Sequence, residues 1–211
     1  SLKGDVISTA SKGNTLSLVG TGTEDSNFIG LKEGDGFASV KMDGEKWTLS
    51  GNLDIIGADD SLQVNSGDLV LSGAVANAGN TLVAKDASLQ LGDGKNTATL
   101  SGGLTNNGTG NVEKVDSNTL TLSGNNSYTG NTVLHNGTTL IASGATLGVK
   151  GSNATVTVTV ENGAAFATAG EVNNNIDILT GGTLAAWNAI QGNTTLSVSG
   201  IDTVNGNVTN G

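Results

Sequence analysis

The stretch that decides the fold is Thr155-Val156-Thr157-Val158-Thr159-Val160, in which a polar residue alternates with an aliphatic one. Alternation with a period of two places the two residue types on opposite faces of an extended chain, so this stretch predicts a half-buried β-strand. The chain contains five further runs of this kind, which Gly and Asn separate: Asn14–Val19, Ser61–Val64, Ser88–Leu91, Asn118–Leu122 and Thr194–Val198. Helical periodicity is absent, so we predict an all-β fold.

The composition favours many thin layers over one wide core. Hydrophobic residues make up 36% of the chain but aromatic residues only 3%, so the apolar side chains are nearly all small or aliphatic. The 33 Gly and the lack of Pro assign the turns to Gly and Asn, which tolerate positive φ. The lack of Cys excludes a disulfide scaffold and a zinc site with thiolate ligands.

An imperfect repeat defines the architecture. The unit Thr/Val-Leu-Ser-Gly begins at Thr48, Val70, Thr99 and Thr121. Repeats with a period of roughly 20 to 50 residues, as here, are typical of solenoids. The frame of leucine-rich repeats is not found, and a propeller would need more aromatic residues. We therefore predict a right-handed parallel β-helix (a β-solenoid), in which inward aliphatic side chains stack from one coil to the next.

The charge is acidic and unevenly distributed. The net charge is −10, which argues against nucleic acid as a partner. Residues 1–116 contain 15 of the 19 acidic residues and eight of the nine basic ones, all Lys. No apolar run is long enough for a membrane helix, and residues 1–10 have no signal-peptide core. We expect the chain to be an excerpt of a longer protein whose other parts carry the targeting signals.

The run from Leu120 to Val133, continued by Asn136–Leu140, resembles the passenger-associated transport repeat of autotransporters. It departs from the family pattern at Asn131, which follows Gly130. The residues that match the pattern are Leu120, Leu122, Gly124, Asn126, Tyr128, Gly130, Thr132, Gly137 and Leu140.

The resemblance implies an adhesin-like passenger of type V secretion, exported through the periplasm and the outer membrane and folded at the bacterial cell surface or released from it. The outer-membrane barrel of its own chain would be one partner. In such passengers the C-proximal turns often fold first, so residues 118–211 are expected to be the folding template, with Tyr128, Phe166 and Trp187 as large side chains that seed packing. The alternative is that these residues fill the interior of ordinary turns.

Residues 1–117 are expected to form coils with charged loops and a binding surface at Phe28, Phe37 and Trp47, near Met42. In the alternative reading these side chains close an irregular turn. Ladders of Asn, Thr and Ser would bind like passengers on neighbouring cells, or a host glycan or protein, through many weak hydrogen bonds. The competing function is an inert stem that holds an upstream domain, for example a protease, away from the membrane.

The sequence predicts no catalytic, metal-binding or cofactor-binding residue. A catalytic triad would have to use His135, the one histidine, and we interpret it as a surface residue. Because some polysaccharide-active enzymes are β-helices, the acidic clusters need consideration: Glu24-Asp25, Glu33 with Asp35, and Asp59-Asp60. The chain has no Arg, and acidic residues and aromatic sugar platforms are scarce, so this enzyme class ranks last.

Overall fold

In a computed structural model, the described part of the chain consists of β-strands joined by turns. The structure describes residues 1, 6, 14–24, 39–51, 53–55, 61–77, 80–92, 99–101, 110–127, 129–149, 156–186, 196–198 and 203–206. These residues contain 22 strands and no helix, and thus no helix that could cross a membrane. The predicted all-β class is confirmed.

The strands form four parallel sheets. The largest sheet contains β1 (Thr15–Leu18), β2 (Thr21–Glu24), β3 (Ser39–Leu49), β5 (Ser61–Leu71), β7 (Asn80–Val83), β8 (Ser88–Leu91), β10 (Asn111–Lys114), β13 (Thr132–Leu134), β16 (Thr157–Val160), β19 (Asn175–Ile178) and β21 (Leu196–Val198). The second contains β11 (Thr119–Leu122), β14 (Gly137–Ile141), β17 (Ala164–Thr168), β20 (Thr183–Ala186) and β22 (Thr203–Gly206). The two smaller sheets contain β4 (Leu53–Ile55), β6 (Ala74–Asn77) and β9 (Thr99–Ser101), and β12 (Asn125–Asn126), β15 (Thr146–Leu147) and β18 (Glu171–Val172).

Paired strands belong to successive coils of the chain. Val112 in β10 pairs with Thr132 in β13. The next two coils on the same path differ in length, since the coil from Thr132 to its partner Val158 is longer than the coil from Val158 to its partner Ile176. Parallel strands cannot be joined by a tight hairpin, so the chain travels once round the rod between partners. The predicted parallel β-solenoid is therefore confirmed.

The core is a set of inward columns that run along the rod. One column in the largest sheet follows the register between successive strands and is buried throughout: Leu69, Leu89, Val112, Thr132, Val158 and Ile176. Residues at the alternate positions face outward, which explains the Thr between aliphatic residues in the sequence. Since a single coil cannot bury its own inward side chains, stability comes from contacts between neighbouring coils.

Several corners of the rod use the same turn, whose third residue has positive φ. Gly144, Gly163 and Gly181 occupy that position with φ of 77°, 85° and 82°. Asp86 takes the same position in the turn after β7, with φ of 65°. In each turn the amide of the fourth residue donates to the carbonyl of the first: Ala87 to Ala84, Ala145 to Ala142, Ala164 to Glu161 and Gly182 to Leu179. Gly, one of the two residue types predicted for the turns, takes this position at three of these four corners.

Candidate functional site

A row of exposed polar side chains crosses three coils near the N-terminal end of the described rod. Asp43 lies at its centre: Ser17 Oγ donates to Asp43 Oδ2 at 3.3 Å, and Asn65 Nδ2 donates to Asp43 Oδ1 at 2.8 Å. All three side chains are exposed. We call Ser17, Asp43 and Asn65 the N-terminal ladder. It presents one carboxylate, one hydroxyl and one amide in a line along the rod, at a spacing that the strands fix.

A β-bulge positions this ladder. Met42 pairs with Val64, but Asp43 pairs with Ser66, so Asn65 is an extra residue opposite the β3 strand. A bulge redirects the side chain at its own position, and here the Asn65 amide reaches the carboxylate of the neighbouring coil. Further hydrogen bonds between coils lie beside the ladder. The hydroxyls of Thr15 and Ser39 share one at 2.9 Å, and Thr21 Oγ1 donates to Glu45 Oε2 at 3.4 Å.

A second ladder on the C-terminal half offers a comparison. Thr146 Oγ1 donates to Asn125 Oδ1 at 2.5 Å across one coil, on the small sheet of β12, β15 and β18. Asn125 is exposed and Thr146 is half-buried. This pair has no charged member, so the N-terminal ladder is the more polar of the two.

The side chain of Trp47 packs against the hydrophobic core and does not project into solvent as a whole. Its register partner in β2 is Gly22, and a Cβ on Gly22 would lie 2.5 Å from the indole ring. The indole Nε1 donates to the carbonyl of Val19 at 3.1 Å, and the half-buried ring contacts the hydrophobic core. Gly22 therefore provides the room for the ring. Phe28 and Phe37, predicted with Trp47 to form a binding surface, lie outside the described residues, so that surface stays a prediction.

The residues of the passenger repeat occupy both faces of the strands. Leu120 and Leu122 point into the core, Asn126 is fully buried, and Asn126 Nδ2 donates to the Thr146 carbonyl at 3.0 Å. Thr132 is buried as well, and Leu140 is only half-buried. Gly124 and Gly137 have positive φ, of 78° and 69°. Gly130 is buried, and Tyr128 lies outside the described residues. The repeat thus encodes the geometry of its coil.

Phe166 fills the interior of the coil that follows the repeat. Its side chain is fully buried, and its register partners are Thr139 on one side and Leu184 on the other. Thr139 is small and 2% exposed, with an Oγ1 that has no hydrogen-bond partner among the described residues. The large ring thus lies beside a smaller side chain in the adjacent coil. Trp187, the other predicted folding seed in this part of the chain, is not among the described residues.

His135 lies between two carboxylates from the coils above and below it. His135 Nδ1 is 2.9 Å from Glu161 Oε2, and His135 Nε2 is 3.6 Å from Glu113 Oε2. The three side chains are each about one-third exposed, with 36% for His135. No Ser or other nucleophile contacts His135 in the contacts that the structure describes. The arrangement ties three coils together and resembles no catalytic triad.

A buried ion pair inside the rod was not predicted. Lys114 points inward from β10 with 1% exposure, between its register partners Leu91 and Leu134. Its Nζ forms an ion pair with Asp116 Oδ1, and Asp116 Oδ1 also accepts the Asn118 amide at 3.2 Å. Buried charges need such partners because water no longer solvates them. The alternation Asn-Val-Glu-Lys does place Lys114 on the same face as Val112, but Lys is normally read as a surface residue.

The predicted acidic clusters form no described site. Glu24 is buried, and its Oε2 accepts the Gly51 amide at 3.3 Å, so it closes the end of β2. The remaining cluster residues lie outside the described part: Asp25, Glu33, Asp35, Asp59 and Asp60. Within the described part, no group of three or more His, Cys, Asp or Glu side chains could hold a metal ion.

Comparison with known proteins shows that this chain is similar in sequence to an autotransporter adhesin. The chain is 38% identical over 125 residues to the adhesin BmaC autotransporter of Brucella suis biovar 1 (strain 1330). The aligned part covers 56% of this chain and 3% of that relative. No protein-family model matches the chain, and no solved structure matches it. The similarity to an autotransporter adhesin and the β-solenoid fold together confirm the resemblance of this chain to an adhesin-like autotransporter passenger.

Proposed function

We propose that this chain is an adhesive segment of a surface-exposed or secreted autotransporter passenger, and that it has no enzymatic role. The similarity to an autotransporter adhesin carries the proposal. The aligned region is a small part of that relative, so adhesion by this segment is a proposal about the rod itself. The partners would be a like rod on a neighbouring cell or a glycan or protein on a host surface.

The exterior of the rod supports this function through its chemistry. The N-terminal ladder presents an exposed hydroxyl, carboxylate and amide on three successive coils. A single hydrogen bond to such a group contributes only about 1 kcal/mol, because water competes for it. Many copies displayed on one cell would combine these weak contacts into strong attachment without a deep pocket. Glycan hydroxyls and the ladder of a second rod both offer matching donors and acceptors.

The experiment displays the parent passenger on cells and replaces residues 1–116 with neutral β-helix turns. Surface exposure is measured with an antibody, and clumping and host-cell binding are measured in parallel. Loss of clumping or of host-cell binding with exposure unchanged supports adhesion by this segment. Exposure, clumping and host-cell binding that all persist would instead identify a stem.

A finer variant separates the ladder from the fold. The triple substitution S17A/D43A/N65A removes exposed polar groups and leaves the core untouched. The matched control is N125A/T146A, which removes the uncharged ladder of the C-terminal half. We expect a decrease in clumping or host-cell binding for the triple variant and a smaller decrease for the control. Equal binding by wild type and the triple variant would contradict a role of the N-terminal ladder.

A second candidate function is that of a stem and folding template for an upstream domain. The observation in its favour is Phe166, a fully buried ring in the C-terminal half that lies between Thr139 and Leu184. If this layer seeds folding, F166A should decrease the amount of passenger at the cell surface far more than M42A, which removes an equally buried side chain near the other end. Equal losses would argue against a template.

A further inference from the structure

Two Asn-Gly pairs lie at the corners that follow β13 and β16 in neighbouring coils. The first corner is one residue shorter, since Leu134 pairs with Val160 but Gly137 pairs with Ala164. Asn136-Gly137 follows β13, and Asn162-Gly163 follows β16 one coil later. Both Asn side chains are exposed, and both Gly residues have positive φ, of 69° and 85°. The pairs therefore share their sequence, their exposed Asn and the positive φ of the Gly.

At the first corner the groups needed for a covalent rearrangement lie side by side. The Gly137 amide donates to Asn136 Oδ1 at 2.7 Å. This hydrogen bond holds the amide nitrogen next to Asn136 Cγ, which is bonded to that oxygen, and it polarises the side-chain carbonyl. The exposed corner also admits the water that the reaction consumes.

At the second corner the Gly amide has a different hydrogen-bond partner. The Gly163 amide donates to the carbonyl of Gly181 at 3.1 Å. The Asn162 side chain turns toward the following coil, where its Oδ1 would clash with a Cβ placed on Gly181. The nitrogen that would react is thus engaged in a hydrogen bond with the adjacent coil.

We propose that Asn136 is a site of spontaneous deamidation in the folded rod, and that Asn162 is protected. The Gly137 nitrogen loses its proton and forms a bond to Asn136 Cγ, the bond from Cγ to Nδ2 breaks, and ammonia leaves with that proton. The resulting succinimide is opened by one water molecule at either of its carbonyl carbons. The products are an ordinary aspartyl residue at this position and an isoaspartyl linkage, with no oxidant or reductant involved.

Both products change the corner. Either one adds a carboxylate beside His135, which already lies between Glu113 and Glu161. The isoaspartyl product also lengthens the main chain by one carbon immediately before β14. Gly137 pairs there with Ala164, and the Thr138 amide donates to the Asn118 carbonyl, so the extra carbon disturbs contacts with both neighbouring coils.

The test incubates the folded chain at mildly alkaline pH and 37 °C and follows both corners by peptide mapping with mass spectrometry. Exchange of an amide for a carboxyl group is read from the mass, and isoaspartate from its enzymatic methylation. We expect deamidation several-fold faster at Asn136 than at Asn162 in the folded chain, and similar rates at the two sites in the urea-unfolded chain. The variant N136Q should abolish the signal at the first corner, because a longer side chain forms the cyclic imide far more slowly.

Two outcomes would overturn the proposal. One is an equal or faster rate at Asn162 in the folded chain. The other is a folded rate at Asn136 well below the unfolded rate, which would show that the corner protects Asn136 as well. Circular dichroism of N136Q, recorded before incubation, establishes that the comparison is made on the same fold.

Discussion

At Thr139 a buried hydroxyl lacks a hydrogen-bond partner among the described residues, in a column that also contains Leu120 and Phe166. A buried hydroxyl without a partner costs about 1 kcal/mol or more, because it loses its hydrogen bonds to water. We therefore expect T139V to raise the free energy of unfolding by about 1 kcal/mol. Urea denaturation of the two proteins measures the difference.

Thr168 supplies the matched control, since its side chain is just as buried but its hydroxyl has hydrogen-bond partners. Its Oγ1 donates to the Gly170 carbonyl at 2.9 Å and accepts the Gly170 amide at 3.2 Å. T168V should lower the free energy of unfolding by about 1–2 kcal/mol, because it leaves both Gly170 groups without that partner. Stabilisation by both substitutions would mean that added apolar volume, rather than hydrogen bonding, determines the effect.

Substitutions at the turn position with positive φ should change the stability of the rod in opposite directions at two corners. Asp86 has φ of 65°, where a side chain is strained and Gly is not, so D86G should stabilise the rod by about 0.5 kcal/mol. Gly144 takes the same position with φ of 77°, and a Cβ added there would have no atom within 4 Å. G144D should thus destabilise by about 1 kcal/mol through backbone strain alone. Thermal unfolding compares the two, and destabilisation by D86G would show that the Asp side chain has a stabilising contact.

At the scale of one element, strand β10 places the charged side chain of Lys114 in the core. K114M leaves Asp116 buried without its cation and should cost about 3 kcal/mol. The double variant K114M/D116N removes both charges and keeps an oxygen that can accept the Asn118 amide. We expect it to recover most of the loss. Urea denaturation of the four proteins in this double-mutant cycle gives the coupling energy, and additive effects would mean that the two charges do not stabilise each other.

Elements were predictable from the sequence where a local rule governs them. Thr157–Val160 and Ser88–Leu91 form strands because alternation of polar and aliphatic residues suits one buried and one exposed face. Gly144 and Gly163 form corners because positive φ favours Gly. The polar contacts were not predictable, because Asn65 reaches Asp43 only through a bulge in the register of β3 and β5.

The contact partners of the interior side chains were equally unpredictable from the sequence. Trp47 packs over Gly22 because two strands from successive coils align, and no local pattern in the sequence specifies that alignment. Lys114 lies at an inward position of the alternation, yet its burial depends on Asp116 turning toward it. In the repeat, Leu140 is half-buried while Thr139 is buried, so the Leu of the repeat pattern was a weaker guide to the core than the register of β14.

At the scale of the whole molecule, the solenoid couples each coil mainly to its neighbours. F166A should cost about 3–5 kcal/mol through loss of buried area and the cavity that remains, and F166L about 1 kcal/mol. Hydrogen exchange should show lost protection in β14, β17 and β20, with β3 unaffected. Uniform loss of protection along the rod would instead indicate a single cooperative unit.

Two coils of unequal length follow one another between Thr132 and Ile176, and the paired strands at their ends stay in register. The additional length is accommodated outside the paired strands, where loop closure adds little cost. A rod of this kind can therefore gain or lose residues outside its paired strands while its interior stays the same. Such an insertion or deletion would alter the length of one coil, and the rod would still fold. The fold thus separates the part of the chain that can vary in length from the part that stability must preserve.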